Sequence, residues 1–199
     1  MILPFCVKKY DDIKPDPLMI KRYMRDRAGN PAMDPLIEEC IGECEELLDC
    51  RICAYITPLN IDGDKVDLGF ASVKSRDLAD NLAGCRNTVI FAATAGLGID
   101  RLVKRYSDIS PLKALCIDAL GSDSVEQTCD RFNEELGEKY ILGNTRFSPG
   151  YGDLPISFQK AIFFSLEIGK YTGVHLTDGV QMVPSKSVTA ILGVKDEIS

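Results

Sequence analysis

Apolar residues change their spacing several times along this 199-residue chain, and each change marks an expected element. A short apolar segment around residues 2–7 opens it, and Pro15 and Pro17 then interrupt the pattern. Leu18, Ile20, Tyr23 and Met24 space as a short helix that stops before Ala28-Gly29-Asn30-Pro31. Asp34 and Pro35 pair an N-cap with a first helical position, and Leu36, Ile37, Ile41, Leu47 and Leu48 carry that helix to about residue 48. From Arg51 the period falls to two: Ile52, Ala54 and Ile56 share a face until Pro58. Asp62-Gly63-Asp64 turns the chain, and Val66, Leu68 and Phe70 form the returning strand of a hairpin.

Ser75 caps a helix over residues 75–83. Residues 87–95 are continuously apolar and rich in β-formers, the pattern of a central strand. Gly96-Leu97-Gly98 leads into a helix from about Ile99 to Tyr106. Residues 108–138 form the longest helical stretch, with Leu112, Leu115, Cys116, Ala119, Val125, Cys129 and Phe132 on one side and a kink expected at Gly121-Ser122. Residues 156–171 read as helix, and residues 174–177, 180–183 and 187–194 as short strands. This order is neither a regular βαβ alternation nor all-β, so the expected class is α+β, a single domain with a largely antiparallel sheet.

Composition narrows the function classes. The length supports one substantial core, and 45% hydrophobic with 27% charged residues is ordinary globular composition. A net charge of −7 repels phosphate backbones, so no nucleic-acid partner is expected. No apolar run reaches the roughly 18 residues of a membrane-spanning helix, and the apolar start is too short for a signal peptide; the expectation is a cytoplasmic protein with no membrane partner. Without a secretory signal, the eight cysteines are not expected to form a disulfide framework. Cys40 and Cys44 fall inside a helical pattern, and the odd separation of Cys50 and Cys53 on a strand sends them to opposite faces. Buried thiols acting as small apolar groups fit better than a zinc or iron–sulfur site. A single histidine, His175, excludes schemes needing two imidazoles.

The most informative chemistry lies in Arg146-Phe-Ser-Pro-Gly-Tyr151. Pro149 fixes its φ and Gly150 permits a positive one, so the chain can turn sharply and bring Arg146 and Tyr151 to one side. A guanidinium that forks onto a carboxylate, beside a ring that covers an apolar or cationic part, suits a small zwitterion. The same residues also suit a plain loop leading into a helix, its arginine paired with a nearby acid. Glu134, Glu135 and Glu138 could complement a sulfonium or ammonium beside Arg146, or form a solvated helix end. Gly96-Leu97-Gly98 lacks the third glycine of a dinucleotide loop and reads as close packing of a helix on a strand. No nucleophile elbow, phosphate loop or zinc-protease motif is present.

Arg146, Pro149, Gly150, Tyr151, Pro155, Gly173, Leu176, Thr177, Met182, Pro184, Ser187 and Val188 occur in the order and spacing of Arg-x-x-Pro-Gly-Tyr, Pro, Gly-x-x-Leu-Thr, Met-x-Pro and Ser-Val. In these residues the chain resembles the activation (reactivation) domain of cobalamin-dependent methionine synthase, with a weaker match upstream to about residue 30. The resemblance implies a bent, mostly antiparallel sheet flanked by helices over residues 30–199, with residues 1–29 as an extension packed on it. It implies S-adenosylmethionine as ligand: Arg146 on its carboxylate, the Ser148 backbone in contact, Pro149 and Gly150 forming the corner, and Tyr151 packed beside it. Glu134 and Glu138 are the candidates for the family's two glutamates. The family's N-terminal aspartate and its Tyr-containing strand after Ser-Val have no matched counterpart.

The cobalamin-holding Asp-x-His-x-x-Gly motif is absent, so cobalamin would sit only on a partner, a cobalamin-binding methionine synthase subunit. A flavodoxin-like or reductase partner would supply the electron for reductive methylation of cob(II)alamin. The chain would then be a component of that methyltransferase rather than an independent enzyme. Two other readings stay open. One is a capping or interaction module for a corrinoid protein that has lost the ligand, and the other a small methyltransferase using Gly96-Leu97-Gly98.

Overall fold

Strand capacity decides much of this architecture, because residues 87–94, apolar from Val89 to Ala93, demand partners on both edges and cover on both faces. The computed structural model describes residues 5–26 and 30–198; the expected start of the first apolar segment and the helix stop at Ala28-Gly29 lie outside them. In chain order the elements begin with β1 (Cys6–Tyr10), α1 (Pro17–Tyr23), α2 (Asp34–Cys44) and β2 (Cys50–Pro58). Three short strands follow, β3 (Asn60–Asp62), β4 (Lys65–Asp67) and β5 (Ser72–Lys74), then α3 (Arg76–Asn81) and β6 (Asn87–Thr94). Next come α4 (Leu97–Tyr106), α5 (Pro111–Gly137), β7 (Tyr140–Leu142), α6 (Gln159–Leu166) and α7 (Ile168–Thr172). The chain closes with β8 (His175–Leu176), β9 (Met182–Val183) and β10 (Ser187–Glu197).

The main sheet runs β1-β2-β6-β10-β7, antiparallel at every pairing. Tyr55 and Ile191 flank Ile90 in register. Alternation sends Cys50, Ile52, Ala54, Val89, Phe91, Ala190 and Leu192 to one face, under Val125, Cys129 and Phe132 of α5. Phe91 and Phe132 meet edge to face at 5.3 Å. Cys53, Tyr55, Ile90, Ala92 and Ile191 face the other way, against Leu78 of α3, Ile162 and Leu166 of α6 and Ile168 of α7. The molecule is thus a single α+β domain with a curled antiparallel sheet flanked by helices. Cys50 and Cys53 do point to opposite faces, and all eight thiols are free.

The helix α5 has 27 residues, about 40 Å of axis. Its first half packs on Ile20 of α1, Ile37, Cys40 and Cys44 of α2, and Ile99 and Leu102 of α4. The helix runs unbroken through Gly121. A Cβ there would stand 2.7 Å from Ile99 Cγ2, so the glycine serves the close approach of α4. Leu112 and Leu115, expected on the apolar side, are about half exposed on the solvent face. Gly96 and Gly98 also serve packing, since a Cβ would lie 2.7 Å from Asp49 Cβ at the first and 2.6 Å from the Leu47 carbonyl oxygen at the second.

Several boundaries differ from the sequence pattern. A 3-10 turn (Pro31–Met33), capped by Asn30 through its acceptance of the Ala32 N–H at 3.0 Å, precedes α2, which ends at Cys44. The segment returning after Asp62-Gly63-Asp64 pairs with β3 and β5 in a separate three-stranded sheet, not with β2. Both edges of β2 are already taken, by β1 and β6. Residues 156–171 are a 3-10 turn (Ile156–Phe158) and two helices, broken where Glu167 adopts φ 49°. Within residues 1–29, β1 is the edge strand of the main sheet and α1 packs on α5. Among the described residues no helix is long and apolar enough to cross a membrane.

Candidate functional site

Glu126, Cys129, Asp130 and Asn133 recur at helical spacing on the face of α5 turned toward β10. Opposite them β10 presents Val188 and Ala190, too small to fill the space. A cleft of about 470 Å³ remains, closed along one side by Thr145, Arg146, Ser148 and Tyr151.

That side is held by backbone pairing. The Phe147 N–H donates to the Ile191 carbonyl at 2.9 Å, and the Ile191 N–H returns to the Phe147 carbonyl at 2.7 Å. Phe147 packs on the core face away from α5, so its neighbours Arg146 and Ser148 turn toward the cleft. Ser148 is buried there. Gly150 takes φ 95° and donates to the Leu154 carbonyl at 2.9 Å, while Tyr151 N–H donates to the Ser148 carbonyl at 3.0 Å. The Pro-Gly corner expected from sequence is therefore formed. Tyr151 stands 57% exposed at the rim, its ring edge-on to Phe147 at 6.0 Å.

Both ends of this loop are tied to α3. Asn81 Nδ2 donates to the Thr145 carbonyl at 3.2 Å, and Asn144 Nδ2 donates to the Asn81 carbonyl at 3.0 Å. At the far end Asp153 accepts the Arg76 N–H at 2.7 Å and the Ser75 hydroxyl, and its own N–H donates to Asp77 Oδ2 at 3.0 Å. The Ser75 hydroxyl, then the amides at the start of α3, hold the Asp153 carboxyl below the usual carboxylate range.

Arg146 is the cation of the cleft. Its Nη2 donates to Glu126 Oε2 at 2.8 Å. Its Nη1 lies 2.9 Å from Asp130 Oδ1 but at an angle that makes no hydrogen bond, leaving an enclosed donor without an aligned acceptor. Two carboxylates against one guanidinium give these three side chains a net charge of −1. Burial is the main influence on the Cys129 thiol, pushing it up to about 12, so it stays uncharged near neutral pH.

The carboxylates differ from those the sequence suggested. Glu134 is 73% exposed beside Arg131, and neither it nor Glu138 lines the cleft. Along α5 they lie about 80° and 120° around the axis from Glu126, so they look away from β10. Glu126 and Asp130, one to three turns earlier, are the helix carboxylates that meet Arg146. The signal for them was present in the sequence: both share a helical face with Cys129. Pro149 and Gly150 shape the corner without lining the cleft.

No family model and no curated protein matches the chain. Among solved structures, the crystal structure of the MetH reactivation domain bound to AdoHcy superposes with a TM-score of 0.69, covering 100% of this chain and 81% of that one at 17% identity. The two share a fold.

Proposed function

We propose that this protein is an S-adenosylmethionine-binding reactivation component for a cobalamin-dependent methionine synthase. The observation that carries the reading is the cleft at the Pro-Gly corner. There Arg146 faces Glu126 and Asp130, in a fold shared with a domain whose crystal structure holds AdoHcy. The residues suit the ligand. Arg146 Nη1, ion-paired with Asp130 but without an aligned hydrogen bond, can turn to an α-carboxylate, while Glu126 and Asp130 complement an α-ammonium. S-adenosylmethionine carries a further positive charge on sulfur and is +1 overall, opposite to the −1 of the three side chains. Val188 and Ala190 leave room for its apolar parts, and Tyr151 stands at the rim where the ring can cover it.

When bound, the ligand supplies a methyl group activated by the sulfonium. The chain's own residues bind and orient: Arg146 and the two carboxylates fix the amino-acid end, and the corner holds them in place. No acid or base is required of them. Cobalamin, as cob(II)alamin, is brought by a partner synthase subunit, and a flavodoxin-like or reductase partner provides the electron.

Calorimetry tests the reading. S-adenosylmethionine should bind the isolated protein, and Arg146→Ala should weaken it by about 1.5–3 kcal/mol, the scale of a charged hydrogen bond. Equal binding by both proteins would remove Arg146 from the site. The pairing of Arg146 with Glu126 favours one rival, a capping module that no longer takes the ligand, because the guanidinium is already partnered. Absence of any thermal shift at millimolar S-adenosylmethionine would select that rival; a binder at a hundred times its Kd gains about 2.7 kcal/mol.

A further inference from the structure

Enclosed polar atoms without partners are rare and destabilising, so each one asks for a reason. Among the described residues four side-chain atoms are in this condition. Two of them, Arg146 Nη1 and Asn133 Oδ1, belong to residues lining the same cleft. The first is a donor and the second an acceptor. A ligand that bound Arg146 alone would leave the second unexplained.

Asn133 stands on the cleft face of α5, one turn beyond Asp130 and about 10 Å along the axis from Glu126. Asn133 is half-buried, but its Oδ1 is enclosed and makes no hydrogen bond within the described residues, in a cleft that Ala190 also lines. A leucine would fill similar volume without enclosing an unmet acceptor.

We infer that Asn133 is a further ligand-binding residue, whose Oδ1 accepts a hydrogen bond from an N–H group of the ligand. This rests on the proposed S-adenosylmethionine site and adds to it a specificity-determining contact that Arg146, Glu126 and Asp130 do not make. Two N–H groups of such a ligand qualify, the α-ammonium and the exocyclic amine of the base. The axial offset from Glu126 is comparable to the span between those two groups in an adenosylated amino acid. With the head group at Arg146 and Glu126, Asn133 therefore meets the base.

The test uses calorimetry and ligand-free melting of the full chain. Asn133→Leu should weaken S-adenosylmethionine and S-adenosylhomocysteine about tenfold while leaving the ligand-free melting temperature equal or higher. Opposite signs on affinity and stability are not expected of a merely structural residue. Asn133→Asp, which keeps the acceptor, should retain binding; equal weakness in both variants would overturn the acceptor role. Unchanged affinity in Asn133→Leu, with Arg146→Ala still weak, would overturn this inference and leave the site standing. Failure of the unsubstituted protein to bind either ligand would remove both. Should Asn133→Leu not fold, a modified ligand on the unsubstituted protein decides. The inosine counterpart of S-adenosylhomocysteine, which lacks the base amine, should lose about tenfold, and full affinity for it would refute the contact.

Discussion

Arg146 donates through Nη2 to Glu126 Oε2 at 2.8 Å, so the cation of the cleft meets any ligand already partnered. An incoming carboxylate must share or displace that bond. The carboxylate it displaces is then free for the ligand's own cationic groups. Exchange of partners, rather than simple addition, is the expected chemistry of this site.

Glu126→Gln should therefore act differently on charged and uncharged sulfur. It removes one negative charge and loosens the internal hold on Arg146. S-adenosylmethionine should lose its advantage over S-adenosylhomocysteine by about tenfold, or ~1.4 kcal/mol. Parallel calorimetric titrations of both ligands with both proteins measure the ratio; an unchanged ratio would show that the glutamate does not sense the sulfonium.

Gly121→Ala should destabilise although alanine is the better helix former. Helix propensity favours the substitution by about 1 kcal/mol. Against it, the new Cβ would sit 2.7 Å from Ile99 Cγ2 and 2.8 Å from Lys186 Cγ, an overpacking worth about 1–3 kcal/mol. The lysine can move; the isoleucine is fully buried and cannot do so cheaply. Urea unfolding should show a lower midpoint with unchanged slope.

Asp153 gives the protein an acid-sensitive joint. Its carboxyl is held below the usual range by the Ser75 hydroxyl and the first amides of α3. A depressed folded-state value stabilises above the unfolded value, near 3.9, and that contribution is lost as pH falls through the folded value. Asp153→Asn should thus lower the urea midpoint at neutral pH and flatten its fall below about pH 4. Identical pH profiles for the two proteins would show that the joint carries no linkage.

Much of this was legible before any coordinates. The apolar run at residues 87–94 is a central strand, Ser75 caps α3 by accepting the Leu78 N–H at 3.1 Å, and the Pro149-Gly150 corner turns as its residue types dictate. What failed to show depends on neighbours distant in sequence. The pairing of β4 is decided by the lack of a free edge on β2, which no local pattern reveals. Which carboxylates meet Arg146 is not legible locally, because acids recur along the second half of α5 and only β10 decides which of them line its cleft. The packing role of Gly121 is hidden for a related reason: the same missing Cβ that weakens a helix also lets a neighbour come close.

With both shoulders of the 145–153 loop fastened to α3, its chain freedom is surrendered during folding rather than at encounter. A visitor therefore meets a mouth already in shape. Arrival should proceed at ordinary diffusive rates, and residence time, not admission, should distinguish good ligands from poor ones.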